Sequence, residues 1–329
     1  MRWFTALTGL PDDRPATVRA GLAVQGEWLV SRGNGRRMRA GRLTLPSLAS
    51  LARPAGGGRA SLREVVADVR DLHADPANAG AVFQVASQFN LLEMIGPEVT
   101  PEQGIARYAD DPTQGPACAM ACAAGTIWRA YLVPLDGQTG QTAARQIDTA
   151  RALGAALGVP WTMRNGYLLP HPGALAPLAP RIAARAAKLR GLLQVGVQAD
   201  TEVTLPGAGH TVTQVYASAV PVAYGRLPAA EVEPLARLVL EAAYEATLAI
   251  AQAEALRTGN RRVFLTRLGG GAFGNPDRWI DDAILAGLGR LPGLDLDIAL
   301  VSHGRSHPAN RALVAAGTQV LLASGGRTG

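Results

Sequence analysis

From residue 61 onward, apolar runs of five to seven residues alternate with segments long enough to be helices. Runs that short, bounded by turn residues, read as buried strands, and helices between them imply a sheet whose neighbouring strands run largely parallel. The strand-like runs fall at 64–69, 80–86, 211–217, 263–268, 296–301 and 319–323. Helix-like segments fall at 116–127, 141–157, about 175–192, 231–257 and 277–288. The segment at 231–257 is the clearest: Leu235, Leu238, Val239, Ala242, Leu248 and Leu256 recur at helical spacing, and Gly259 and Asn260 stop it. The fold class expected is α/β, a mixed sheet flanked by helices on both faces.

The 329 residues are 48% hydrophobic and only 18% charged, which suits a folded globular chain and excludes a disordered one. The net charge of +6 rests almost wholly on arginine, Lys188 being the only lysine, and would suit an anionic partner. The densest cluster is Arg32, Arg36, Arg37, Arg39 and Arg42, with Arg53 and Arg59 nearby. It reads either as a nucleic-acid contact or as a solvated basic loop. Cys118 and Cys122, four residues apart on one helix face, are expected as small core residues rather than a bridge or a zinc site. With no long apolar run near the N-terminus or elsewhere, a cytoplasmic setting without membrane contact is the expectation.

Residues 1–60 read as an N-terminal extension of short strands, at 26–31 and 42–46, packed on the core. The break is expected at Pro54 to Gly58. Residues 61–329 would form the main domain, with a largely helical insertion at about 134–205. Within that insertion, Trp161 to Tyr167 is rich in turn residues.

Two strand ends carry the residues that chemistry needs. The run at 263–268 opens into Gly269-Gly270-Gly271-Ala272-Phe273-Gly274-Asn275-Pro276, and glycines there let backbone N–H groups approach a phosphate. The run at 80–86 opens into a polar cluster, Gln84, Ser87, Gln88 and Asn90. Buried amides are costly unless they are paired, so such a cluster at the end of an apolar strand favours a site.

The succession Val65-Val66-Ala67-Asp68-Val69 and Ala81-Val82-Phe83-Gln84-Val85-Ala86-Ser87, followed by 214–221 and the Gly-Ala-Phe-Gly-Asn segment at 271–275, resembles macrodomains. The glycine segment is similar to the variant found in poly(ADP-ribose) glycohydrolases, and the resemblance covers roughly residues 62–303. It implies a macrodomain-like fold and ADP-ribose, free or attached to a macromolecule, as ligand. Asp68 would accept a hydrogen bond from the adenine amino group. Gln84 and Ser87 would stand where the family has two asparagines, and Gln88 and Asn90 would reach the distal ribose. Thr113-Gln114-Gly115-Pro116 is similar to a phosphate-contacting helix start, which brings in Gln114. Gly269, Gly270, Gly271, Ala272, Gly274 and Asn275 would line the diphosphate, with Phe273 beside the distal ribose. No metal or other cofactor is implied, since N–H groups do the binding.

Hydrolysis at the anomeric carbon needs a carboxyl group near the leaving oxygen. Glu102, Asp110 and Asp111 are the candidates; each reads equally as a first-turn or turn-forming residue. The chain lacks the family's run of glycines after the asparagine loop, and Glu102-Gln103 is only a loose echo of its Gln-Glu-Glu signature. The resemblance therefore implies binding more directly than catalysis. An ADP-ribosyl glycohydrolase is the leading reading, a non-catalytic reader the second, an arginine-rich nucleic-acid-binding protein the third. Histidines 210, 303 and 307 match no standard zinc spacing, and no Gly-x-Ser-x-Gly elbow accompanies them.

Overall fold

The computed structural model describes residues 2–53, 58–225 and 227–324. Of the break expected at Pro54 to Gly58, residues 54–57 lie outside the described residues. The first part of the chain forms α1 (Arg2–Thr8), α2 (Pro15–Ala20), β1 (Leu22–Gln25), β2 (Trp28–Ser31), β3 (Arg37–Arg39) and β4 (Arg42–Thr44). Next come β5 (Ser61–Val66), α3 (Val69–Ala74), β6 (Val82–Ala86), α4 (Gln114–Ala121) and α5 (Ala123–Ile127). Two hairpins and three short helices follow: β7 (Pro134–Leu135), β8 (Gln138–Thr139), α6 (Arg151–Leu157), β9 (Trp161–Arg164), β10 (Tyr167–Pro170), α7 (Ala179–Ala184) and α8 (Ala186–Gly191). The last part holds β11 (Gly196–Glu202), β12 (Thr211–Ala217), α9 (Ala229–Thr258), β13 (Arg262–Leu265), α10 (Asp277–Arg290), β14 (Asp297–Ser302) and α11 (Pro308–Ala323).

One seven-stranded sheet organises the molecule, in the order β4-β11-β12-β6-β13-β14-β5. The five strands from β12 to β5 run parallel, and β11 and β4 are added antiparallel at one edge. Alternate residues feed two cores. Val82, Val215, Val263 and Ile298 face one side with α9 and α10. Phe83, Tyr216, Phe264 and Ala299 face the other, where Cys118 and Cys122 also lie. That period of two on strands buried on both faces is why the runs read as continuously apolar. The expected mixed sheet with helices on both faces is therefore present.

Several elements differ from the sequence reading. The run at 319–323 is the end of α11, not a strand; Leu313, Gly317 and Leu321 recur at four-residue spacing on the buried side of that helix. The run at 64–69 ends as a strand at Val66, because Asp68 caps α3 by accepting the Arg70 N–H. The helix expected at 141–157 is only α6, and those at 116–127 and 175–192 are broken at Cys122 and Arg185. The turn-rich stretch at 161–167 is the β9–β10 hairpin, its Asn165 and Gly166 both at positive φ as a tight two-residue turn requires. Helices α1 and α2 and strand β11 were not expected. Nor does the N-terminal extension only pack on the core: β4 is hydrogen-bonded into the main sheet through β11.

Candidate active site

The C-terminal ends of the parallel strands open into one cleft, the usual place for a ligand in an open α/β sheet. Its cause is visible in the register. Strands β6 and β13 pair only at Val82–Val263 and Phe83–Phe264, then diverge. Polar side chains satisfy the backbone groups freed beyond that point. The Gln114 amide donates to Gln84 O (2.8 Å) and accepts from Ala86 N (3.0 Å), standing in for a missing strand. Gln84 Oε1 accepts from Thr266 N (3.3 Å), and its amide nitrogen donates to Thr247 on α9 (3.1 Å).

The divergence leaves an inner cavity of about 210 Å³, lined by Ser87, Gln88, Glu93, Asp111, Gln114, Phe273 and the glycine loop among others. It shares Asp111, Thr113, Gln114, Thr266 and Arg267 with a wider groove of about 630 Å³ that extends past Asp68 to His303 and His307. The glycine loop forms one wall. Gly269 and Gly274 sit at positive φ, and a Cβ on Gly269 would lie 2.5 Å from Ala219 Cβ. The loop's internal bonds use the amides of Gly270, Gly274 and Asn275. Those of Gly271, Ala272 and Phe273 stand outside that set, and beside Gly271 there is open space. At the far wall Phe273, Tyr167 and Tyr224 form an aromatic trio with ring centroids 5.1–5.7 Å apart.

Glu93 is the residue the sequence reading missed. It is 6% exposed, lines the inner cavity, and its Oε1 has no hydrogen-bond partner among the described residues. Burial pushes its carboxyl well above the ordinary range; the Arg129 cation opposes that rise and Asp111 adds to it. Room for the carboxylate depends on Gly115, where a Cβ would fall 2.3 Å from Glu93 Oε2 and 2.2 Å from Ala86 O. Arg129 lies on a π-helical turn, wholly buried, and stacks 3.6 Å from the Tyr216 ring centroid. It donates to Leu91 O, Gln198 and Thr126 rather than to a carboxylate. The only signal in the sequence was an acidic residue enclosed by Leu91, Leu92, Met94 and Ile95.

The other expected site residues divide. Ser87, Gln88, Gln114, Gly269, Gly271, Ala272, Phe273 and Asp111 line the inner cavity, and Asp68 lines the wider groove. Gln84 does not line either space: it is fully buried against α9. Asn90 is also fully buried, its amide spent on Gln146 and Leu92. Gln88 lines the cavity, yet both ends of its amide bind the Met94 backbone. Gly270, Gly274 and Asn275 shape the loop from behind, Asn275 bonding Val220 O and Gly269 O. Asp68 is engaged by Arg70 through its backbone and guanidinium, which holds its carboxyl down at about 2. An adenine amino group would have to share that carboxylate with Arg70.

Among the carboxylates expected for catalysis, Glu102 lies away from the cavity and accepts from Ala143 N (2.8 Å). Asp110 is exposed at a small neighbouring pocket, and Asp111 reaches the cavity while capping a turn through Thr113 N. Among the described residues no group of three or more His, Cys, Asp or Glu is placed to hold a metal ion, and no helix is long and apolar enough to cross a membrane. Within the arginine cluster of the N-terminal part, three side chains have partners in the chain itself. Arg39 pairs with Glu27 (2.8 Å) and Asp200, Arg37 lies over Trp28, and Arg53 reaches Glu245.

No family model matches the sequence, and no curated protein matches it. Solved structures similar to it include a poly(ADP-ribose) glycohydrolase from Thermomonospora curvata bound to the inhibitor ADP-HPD, at 14% identity and a TM-score of 0.40, covering 92% of this chain and 95% of that one. Another is the poly(ADP-ribose) glycohydrolase from Deinococcus radiodurans in complex with ADP-ribose, at 13% identity and a TM-score of 0.44, covering 86% and 94%. The likeness runs along most of the chain at low identity.

Proposed function

We propose that the chain binds ADP-ribose and hydrolyses the bond between its distal ribose and a modified macromolecule. The observation that carries this reading is one cavity walled on one side by the amides of Gly271, Ala272 and Phe273, unengaged among the described residues, and on another by the protonatable Glu93. Backbone N–H groups suit a diphosphate, and Phe273 suits the apolar face of a ribose. The wider groove gives the adenosine end a place along Arg70, Asp68 and the loop at 303–307.

In this arrangement Glu93, kept protonated by its surroundings, gives its proton to the departing oxygen as the bond to the anomeric carbon breaks. Glu93, now ionised, then takes a proton from the water whose oxygen bonds that carbon. This replaces Glu102, Asp110 and Asp111 as first choice for the acid, with Asp111 kept as a second carboxylate in the same cavity. The acceptor from which ADP-ribose is removed, protein or nucleic acid, belongs to the same proposal and is open to screening.

The test is a calorimetric titration with ADP-ribose at moderate salt, with AMP as control, followed by release assays on ADP-ribosylated protein and nucleic acid. ADP-ribose is expected to bind much more tightly than AMP. Glu93→Gln is expected to keep that affinity within about threefold while release falls by about a hundredfold or more, the range set by general acid catalysis. Absence of ADP-ribose binding at millimolar concentration would sink the reading. Binding without release by the native chain would make it a reader.

A further inference from the structure

We infer that Asp12, in the N-terminal extension, is a positioning residue that holds Glu93 in the cavity through Tyr108. The inference rests on the proposed role of Glu93 and adds the extension to the site. Asp12 Oδ2 accepts from Ile105 N (2.8 Å) and Ala106 N (2.6 Å), and its Oδ1 accepts from the Tyr131 hydroxyl. That hydroxyl also accepts from Ile105 N (3.1 Å), and Trp3 on α1 donates its indole N–H to Ala106 O (2.9 Å). Gly104 makes the approach of Asp12 feasible: its φ is +87°, and a Cβ there would stand 2.7 Å from Asp12 Oδ2.

The two amides that Asp12 binds open the 3-10 turn Ala106–Asp110. The turn presents Tyr108, 3% exposed, whose hydroxyl accepts the Glu93 backbone N–H at 2.8 Å. Directly after the turn comes Asp111, the second cavity carboxylate. One carboxylate from outside the main domain thus fixes the start of a turn whose middle pins Glu93 and whose end supplies Asp111. Among the described residues Glu93 has no partner on Oε1 to fix it otherwise, so its position depends on backbone anchoring and packing. Charged and titratable groups around it are Arg129, Asp111, Tyr108, Tyr167, Tyr216 and Cys118. None of them belongs to the extension, so Asp12 acts on Glu93 through geometry.

The test uses the full chain with Asp12→Ala and Tyr108→Phe. Protonation of Glu93 is read from its carboxyl stretching band in difference infrared spectra, identified by its loss in Glu93→Gln. Loosening the turn admits water to Glu93, so both variants are expected to titrate lower than the native chain by about one pH unit or more, the size of shift partial resolvation brings. Amide exchange over 105–111 is expected to accelerate in Asp12→Ala. With a hydrolysable substrate, the loss is expected in kcat, by about tenfold or more, with KM nearly unchanged, as misplacement of a reacting group predicts. Tyr108→Phe removes a single hydroxyl and keeps the question answerable if Asp12→Ala does not fold. An unchanged Glu93 midpoint in folded variants with accelerated exchange at 105–111 would overturn the inference. The infrared measurement requires no substrate, so a failure of ADP-ribose binding leaves this outcome separately readable.

Discussion

Glu93 exchanges stability for a proton. Its pKa in the folded chain lies above the value of 4.5 that it takes when solvated, so between the two the folded state binds more protons than the unfolded one. Stability then falls as pH rises from about 4.5 toward the folded-state value and stays at the lower level above it. A glutamine there has nothing to ionise and can fill the same space. Glu93→Gln is therefore expected to melt higher than the native chain at neutral pH, by roughly 1–2 °C for each kcal/mol recovered in a chain of this size. The difference is expected to shrink as the pH is lowered toward 4.5, and thermal melts at a series of pH values check it. A variant melting lower at every pH would mean that the carboxyl is satisfied where it sits. The same residue shows why local sequence reasoning stopped short. Gln84, Gln88 and Asn90 are the conspicuous polar groups at this strand end, and their amides are consumed in bonds to backbone and to the side chains of Thr247 and Gln146. Polar residues after an apolar strand announce either a site or its scaffolding, and composition cannot separate the two. The unpartnered group is an acid set among apolar neighbours, which only the folded packing distinguishes from a surface residue.

At the scale of elements, the cleft follows from two parallel strands parting after two paired positions, with side-chain amides closing the backbone behind them. The glycine loop was legible because two of its glycines have to be glycines. Positions 269 and 274 adopt positive φ, and 269 also meets Ala219. Gly271 differs: it has an ordinary φ and open space where a Cβ would go, so the fold alone does not require glycine there. Its requirement, on the proposed function, is the ligand. Gly271→Ala is accordingly expected to leave stability within about 0.5 kcal/mol, as for an exposed substitution. ADP-ribose affinity is expected to fall by about tenfold or more, about 1.4 kcal/mol. Calorimetry beside a thermal melt checks both; unchanged affinity would remove the loop from the binding surface. Opposite the glycine loop, the turn after β14 is held by Glu64 on β5, which accepts from Ser302, Ser306, Asn310 and the His307 N–H. Desolvation is the largest single effect and acts upward, but these four bonds together outweigh it and hold the Glu64 carboxyl down at about 2. For a lowered acid the contribution is complete above about 4.5 and is lost as pH falls toward 2. Protection of the amides at 303–307, taken relative to their intrinsic exchange at each pH, is expected to fall over that acid window in the native chain. In Glu64→Gln it is expected to be lower already at neutral pH and flat across the window.

Over the whole molecule, what the sequence made legible was the parallel centre. Strands β6, β13 and β14 are buried on both faces and so read as largely apolar runs, β12 reads as a strand by its alternation, and α9 carries its helical spacing over 30 residues. The periphery was less legible because its residues answer to partners distant in sequence. Strand β11, Gly196 to Glu202, includes Gln198, Asp200 and Thr201, and its register shifts between Gln198 and Thr201. It is a strand because β12 and β4 flank it. The run Val320-Leu321-Leu322 is as apolar as any strand, and only the helical phase set by Leu313 and Gly317 decides it. The boundary drawn at residue 60 meets the same difficulty. Phe4, Val18, Leu29 and Met38 are buried in one cluster with Ile105, Ala119, Ile127 and Tyr131, so the extension and the α4–α5 region share a core. Strand β4 also covers the β11 edge, which would otherwise offer unpaired backbone groups to another chain. Deleting residues 1–45 is therefore expected to do more than remove Asp12 from the site. It uncovers a large apolar face and a free sheet edge together, a combination that favours aggregation over a smaller folded unit. Size-exclusion chromatography and circular dichroism of the truncated chain check this. A soluble monomer melting cooperatively near the native temperature would show that residues 46–329 fold alone, and that the shared core is an interface between separable units.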